Sequence, residues 1–414
     1  MLVAFFIWLL ANSLASGING LVPERSEIVI QKGGVMFVNG RPFFPIGSYY
    51  VPRSENAYSE LAEAGFNLIQ CAPSKRELDM ANDAGLMAWV VAAGDLDFSS
   101  DAEKHQENLR NLVMKFKDHP ALLAWESRDE PAWTWKRPSE PAVPRKGLVA
   151  GHRFLRHIDP NHPIWVNHAP RNLARTLIGF SEGAQIISCD IYPVIPCGLK
   201  EMYAIENGFH GDLLNQTASS VGEYTRKMRR VAGKDRSVWM VLQAFAWEGL
   251  REPKDRDSAK IVFPTYSQLR FMAYDAIING ANGILFWGTE FVPCHSNLWD
   301  DLERVTKEIS NISPVLLSTS LKNPLSVGYV ELGYSMDNAV EMIVKRYNRK
   351  TYIITANRSP YPVKVTFSGA ERLFAEREIV VWGGGRKIKL LKGKFTDEFQ
   401  GFGVHVYTNA MLHD

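Results

Sequence analysis

The stretch LLAWESRDEPAW, residues 122–133, sets an apolar run against two adjacent carboxylates, Asp129 and Glu130, with Arg128 before them and Trp133 after. Acids at the end of a hydrophobic segment suit proton transfer. A carboxyl partly withdrawn from water keeps its proton near neutral pH and can donate it to a departing oxygen. The same punctuation recurs along the chain. Apolar runs end in Tyr49 and Tyr50, in Asn167 and His168, in Asp190 and Tyr192, in Gln243 and Trp247, and in Trp287 and Glu290; Glu248 follows Trp247. Carboxylates can serve as acid, base or nucleophile, and flat rings can hold an apolar face of a ligand. With 11 Trp and 14 Tyr the supply of rings is large. Trp89, Trp125 and Trp239 lie inside their runs and read as core, whereas Trp133, Trp135, Trp247 and Trp287 lie at or beyond the ends.

The elements that must position these groups alternate. RPFFPIGSYY, NLIQCAP, MAWVVAAG, ALLAWESRDEP, PIWVNHAP, AQIISCDIYPVI, SVWMVLQAFAW and GILFWGTEF read as eight strands. SENAYSELAEAGF, KRELDMANDAGL, DAEKHQENLRNLVMKFKDH, VPRKGLVAGHRFLRHI, VGEYTRKMRRVAG and TYSQLRFMAYDAIINGAN read as helices between them, the third with Leu109, Leu112, Val113 and Phe116 at helical spacing. Glu-Ala-Gly-Phe at 63–66, Asp-Ala-Gly-Leu at 83–86 and Asn-Gly-Ala-Asn-Gly at 279–283 place a glycine where a helix must close. Nearly continuous apolar strands between amphipathic helices predict a parallel sheet covered by helices, and eight such units predict an α/β fold of the TIM (β/α)8 type. No Gly-x-Gly-x-x-Gly turn follows the first strand, which argues against a doubly wound sheet. EIVIQKGGVMFVNG, residues 27–40, reads as a hairpin ahead of the barrel. Beyond Asn311, short alternating strands separated by Gly, Pro and Asn predict a small antiparallel β-sandwich. The predicted organisation is a signal peptide over 1–17, a barrel over 18–318 and a β-sandwich over 319–414.

The formal charge is +2, with acids and bases mixed, so the basic footprint of a nucleic-acid binder is absent. Leu2 to Ala11 followed by small residues predicts an export signal, hence a secreted or extracytoplasmic protein; the alternative is an uncleaved N-terminal anchor. Export permits disulfides among Cys71, Cys189, Cys197 and Cys294, and Cys197 and Cys294 fall in loops on one face. His168, Asp190 and His295 lack a ligand spacing, so neither a metal nor another cofactor is expected.

In a TIM barrel the strand ends build the active site, and two carboxylates among many rings suit a sugar. Here the chain resembles the retaining glycoside hydrolase clan with a (β/α)8 barrel that holds the cellulases, mannanases and β-galactosidases. The likeness spans residues 36–291. MFVNGRPFFPIGSYY is similar to the start of the first strand in that clan. LLAWESRDEP resembles its Trp-x-x-x-Asn-Glu-Pro, and FWGTEF its eighth-strand tryptophan. The resemblance implies an oligo- or polysaccharide substrate with a β linkage, Glu130 as general acid/base and Trp287 as floor for the cleaved sugar. Tyr49, Tyr50, Arg128, Trp133, Asn167, His168, Tyr192, Gln243 and Trp247 would bind substrate. Two positions depart from the clan's pattern. Asp129 replaces its Asn, and Gln243 stands where its nucleophilic Glu belongs. Three accounts follow: Asp190, Glu248 or Glu290 serves as the second carboxylate; a 2-acetamido group of the substrate attacks, as in hexosaminidases with adjacent Asp-Glu; or the barrel binds sugar without cleaving it.

Overall fold

The computed structural model describes residues 25–133, 140–197, 215, 217–292, 296–330 and 339–409. The expected signal peptide, Trp135, Cys294 and His295 lie outside the described residues. Eight parallel strands close into a barrel in sequence order: Ile46–Ser48, Leu68–Cys71, Met87–Val91, Leu122–Glu126, Ile164–His168, Ile186–Ile191, Ser237–Gln243 and Gly283–Trp287. The seventh strand pairs with the eighth, Gln243 opposite Trp287, and the eighth with the first, which closes the ring. The run RPFFPIGSYY divides at Pro45. Arg41–Phe43 pairs with Met36–Val38, which pairs with Ile28–Ile30, so a three-stranded sheet replaces the expected hairpin.

The barrel interior is packed with rings. Trp89, Trp165 and Trp239 are fully buried there beside Leu68, Ala124, Ile186, Val241 and Leu285, and Ile28 and Met36 of the small sheet join the same cluster. Trp89 and Trp165 meet edge to face at 5.6 Å, and Tyr49 stands edge-on above Trp89 at 5.3 Å. Trp125 alternates outward, where its indole donates to Asp159 at 2.8 Å. The lumen beneath the C-terminal rim is therefore a dry aromatic plug, which fixes the dielectric of whatever sits on it.

Six helices form where the apolar periodicity predicts them. Two more complete the ring. Ala174–Phe180 is two turns long, too short to show a period. Asn297–Leu316 carries Leu298, Leu302, Val305 and Ile309 on its buried face, but Pro314 in its last turns disguises its end. After it, a six-stranded antiparallel sheet runs in the order Thr319–Leu321, Val340–Tyr347, Lys350–Asn357, Val404–Thr408, Glu378–Val381 and Lys387–Lys389; a three-stranded one holds Ser326–Tyr329, Val363–Ser368 and Lys394–Phe399. Phe367, Phe395, Phe399 and Tyr407 fill the space between them. Arg358 bridges Glu223 of the barrel at 2.7 Å and Glu341 at 3.3 Å, while Arg270 donates to the Val404 carbonyl at 2.8 Å, which ties this unit to the barrel helices.

The three glycine endings close their helices in the same way. Phe66 N–H reaches Leu61 O and Gly65 N–H reaches Ala62 O; Leu86 and Gly85 repeat this on Ala81 and Asn82, and Ala281 and Gly280 on Ala276 and Ile277. All three glycines have positive φ. Their surroundings differ. A Cβ on Gly65 would lie 2.8 Å from the Lys307 amide nitrogen, whereas one on Gly85 would meet nothing within 4 Å. Gly85→Ala should cost about 1 kcal/mol for left-handed backbone alone, and Gly65→Ala about 3 kcal/mol or more because the last barrel helix must move. Urea unfolding of the two variants measures the difference.

Candidate active site

The fourth strand carries Glu126 at its end and then turns sharply. Glu130 takes a left-handed φ of 44°, rare for a residue with a side chain, and its N–H donates to the Asn167 carbonyl on the fifth strand at 3.0 Å. This turn puts Asp129 and Glu130 on one wall of a cavity of about 400 Å³ at the C-terminal rim. Asp190 from the sixth strand joins them. The Glu130 and Asp190 carboxyls line the same cavity and influence one another. Asn167 ties the group together: its Nδ2 donates to Asp129 Oδ1 at 3.0 Å and to Asp190 Oδ1 at 3.5 Å.

The charges in this wall are perturbed for an identifiable reason. Loss of solvent on the aromatic plug is the largest cause, and mutual repulsion is the next. Together they raise Asp190 to about 7, against the hydrogen bond from Asn167. Asp129 keeps solvent access through the cavity, yet protein crowds it enough to raise its carboxyl; the Asn167 amide and the Arg128 charge work the other way. Beneath them lies Glu126, buried, whose Oε2 accepts from Gln70 Nε2 at 2.7 Å and Trp89 Nε1 at 2.8 Å. Burial first and Asp129 second push it up to about 8.

The facing wall is aromatic. Trp287 stacks on Tyr192 at 5.7 Å with 29° between planes, and Phe245 meets Trp287 edge-on at 4.8 Å. Trp247 packs on Phe245 and donates its indole N–H to the Tyr192 carbonyl at 3.2 Å. Gly288, with φ of 93°, makes this possible, since a Cβ there would come within 2.7 Å of Phe245. Tyr49 lines the floor. Trp133 lines the carboxylate side with the Arg171 guanidinium over its ring at 5.6 Å.

Other candidates point elsewhere. Gln243 is fully buried and outside the cavity lining. Its Oε1 accepts from Val194 N at 2.8 Å, and its Nε2 donates to the Val194 and Phe245 carbonyls at 3.0 Å each. It staples the loop after the sixth strand to the seventh strand rather than facing a ligand. His168 turns outward to Ser181 Oγ at 2.8 Å, and burial lowers it to about 3, so it stays neutral in the wall and does not meet Asp190. Glu248 is buried in a loop, accepting from Asp257 N at 2.7 Å and pairing with Arg251 at 3.2 Å. Glu290 stands near Tyr50, whose hydroxyl is raised by burial first and by the Glu290 charge second, but does not line the cavity. Arg128 is exposed and reaches the site through its charge on Asp129. Cys71 and Cys189 are buried free thiols.

Sequence reasoning passed over Glu126, Gln70, Arg171 and Phe245. For Glu126 a signal existed. Trp125 faces outward, so strand alternation turns the next residue inward, onto the plug.

No family model matches the chain, and no curated protein matches it. Solved structures do. A glycoside hydrolase family 5 protein from Bacteroides vulgatus aligns with TM-score 0.59 at 14% identity over 92% of this chain and 93% of its own. A structure described as "Glycoside hydrolase" aligns with TM-score 0.58 at 14% identity over 93% and 96%. A GH42 beta-galactosidase from G. stearothermophilus aligns with TM-score 0.55 at 11% identity over 88% and 98%. At these identities the likeness establishes a shared fold, a TIM barrel followed by an antiparallel β unit.

Two outcomes follow from this geometry. Asp190 and Glu126 titrate in the unfolded chain near 4, whereas folding raises both, so the folded state holds more protons between about pH 4 and 8. Stability should therefore fall as pH rises through that window, and Asp190→Asn or Glu126→Gln should flatten the slope of melting temperature against pH. Gln243→Glu should give no gain in activity and should destabilise by about 3 kcal/mol, because a carboxylate would face two carbonyls that now accept N–H; urea unfolding reads the loss.

Proposed function

We propose that the chain is a glycoside hydrolase acting on a β-linked oligo- or polysaccharide, with Glu130 as proton donor to the leaving oxygen. The observation that carries this reading is the meeting of Glu130, Asp129 and Asp190 at a cavity that Trp287 and Trp247 also wall. A sugar presents C–H faces to rings and hydroxyls to carboxylates, and the two walls are separated in that sense. Glu130 donates its proton as the glycosidic bond lengthens; the neighbouring Asp190 and Asp129 carboxyls favour a Glu130 that keeps its proton until then. Glu130 then becomes the base that takes a proton from incoming water. The β linkage rests on the fourth-strand resemblance.

A second reading of the same site concerns the nucleophile. The carboxyls lining the cavity, Asp129, Glu130 and Asp190, come from the fourth and sixth strand ends, while the seventh and eighth contribute rings. Protein-nucleophile mechanisms place a second carboxyl about 5 Å from the acid, and inverting ones about 6.5–9.5 Å away across the sugar. Among the described residues, no carboxyl from the seventh or eighth strand lines the cavity. This favours a substrate that brings its own nucleophile: the carbonyl oxygen of a 2-acetamido group attacks C1, the C1–O bond breaks, and Glu130 protonates the departing oxygen. Asp129, held by Asn167, would receive the acetamido N–H.

Glu130→Gln should keep the fold and lower kcat on an unactivated glycoside by about 10²–10⁴-fold. Full activity in a folded Glu130→Gln protein would remove Glu130 from the mechanism. Glycan binding without turnover by the wild type, across paired 2-acetamido and 2-hydroxy aryl glycosides, would instead leave a carbohydrate-binding barrel.

A further inference from the structure

Glu126 has no part in the reading above, yet it is built into the floor of the site. It is 4% exposed, ends the fourth strand and points into the lumen. Both N–H donors that hold it, from Gln70 on the second strand and Trp89 on the third, converge on one oxygen, Oε2. A carboxyl held so carries its proton, when it has one, on the other oxygen. Among the described residues, the ionisable groups facing it are Asp129 from its own strand end and the Tyr49 and Tyr50 hydroxyls from the first, and no cation is among the charges that act on it.

Asp129 in turn holds Asn167, whose amide also reaches Asp190 and whose carbonyl takes the Glu130 N–H. Two neighbouring carboxylates, one of them buried, cannot both ionise cheaply. We propose that Glu126 is a positioning residue of this site, a neutral carboxylic acid under the floor that lets Asp129 ionise and so fixes Asn167 between Asp129 and Asp190. The proposal rests on the glycosidase reading. Its raised value, about 8, agrees with a proton retained at neutral pH. When Glu126 loses that proton, its charge opposes Asp129, the Asn167 bridge weakens, and activity falls on the alkaline side.

The test is the pH–rate profile of the full-length protein on a 4-nitrophenyl glycoside that the wild type hydrolyses, each variant scaled to its own maximum. Glu126→Gln keeps an acceptor for Gln70 and Trp89 but cannot ionise, so its alkaline limb should move up by about one pH unit. A limb that stays in place or moves down overturns the proposal, because titration of Glu130 itself would give that result.

A second measurement needs no turnover. In Glu130→Gln protein labelled with 13C at the Glu side-chain carboxyls, one resonance should titrate near pH 8 and disappear when Glu126→Gln is added. Ordinary titration of every Glu, below about pH 5, overturns the proposal. Failure of the parent reading looks different: turnover that survives Glu130→Gln, or no turnover at all, leaves the Glu126 resonance where it is expected.

Discussion

Four carboxyls, Glu126, Asp129, Glu130 and Asp190, share the top of an aromatic plug, and water reaches them from one side only. They cannot all be anions. Trp89 enforces this twice, filling the lumen so that the floor stays dry and giving its indole N–H to Glu126, which fixes that group's orientation. Side chains from the fourth, fifth and sixth strand ends converge within hydrogen-bond reach. The closed parallel barrel brings groups far apart in sequence to one place, and the plug decides their protonation.

The opposing wall follows the same economy of space. Gly288 gives up a side chain so that Phe245 can stand under Trp287, and Gln243 places two hydrogen bonds on Val194 in the loop after the sixth strand and a third on the Phe245 carbonyl. An amide suits that role because it donates to two carbonyls and accepts from one N–H. The position is structural in this chain, and acidic chemistry is concentrated on the other side of the cavity. The result is a site polarised across its width, acids against rings, which is the feature on which the functional proposal stands.

Much of this was legible in the residues. Eight apolar runs gave the eight strands, and the glycines at 65, 85 and 280 marked helix closures that the backbone makes by the same pair of hydrogen bonds. Asp129, Glu130 and Asp190 were visible because carboxylates at strand ends contrast with what precedes them. Glu126 was hidden by its neighbours: beside Trp125 it reads as the edge of a core run, and only alternation, offset by a register shift against the third strand, reveals that it faces inward. Gln243, Glu248 and His168 misled for a related reason. Sequence places a residue on the rim but does not say which backbone groups claim its side chain, and here loop amides and carbonyls, or Ser181, claim all three.

The most direct measurement is a crystal structure of Glu130→Gln with an unhydrolysed oligosaccharide bound. The account predicts the glycosidic oxygen within about 3 Å of the residue-130 side chain and a pyranose ring lying against Trp287. A sugar bound with its glycosidic oxygen out of reach of residue 130, or on a surface away from the acid wall, would contradict it.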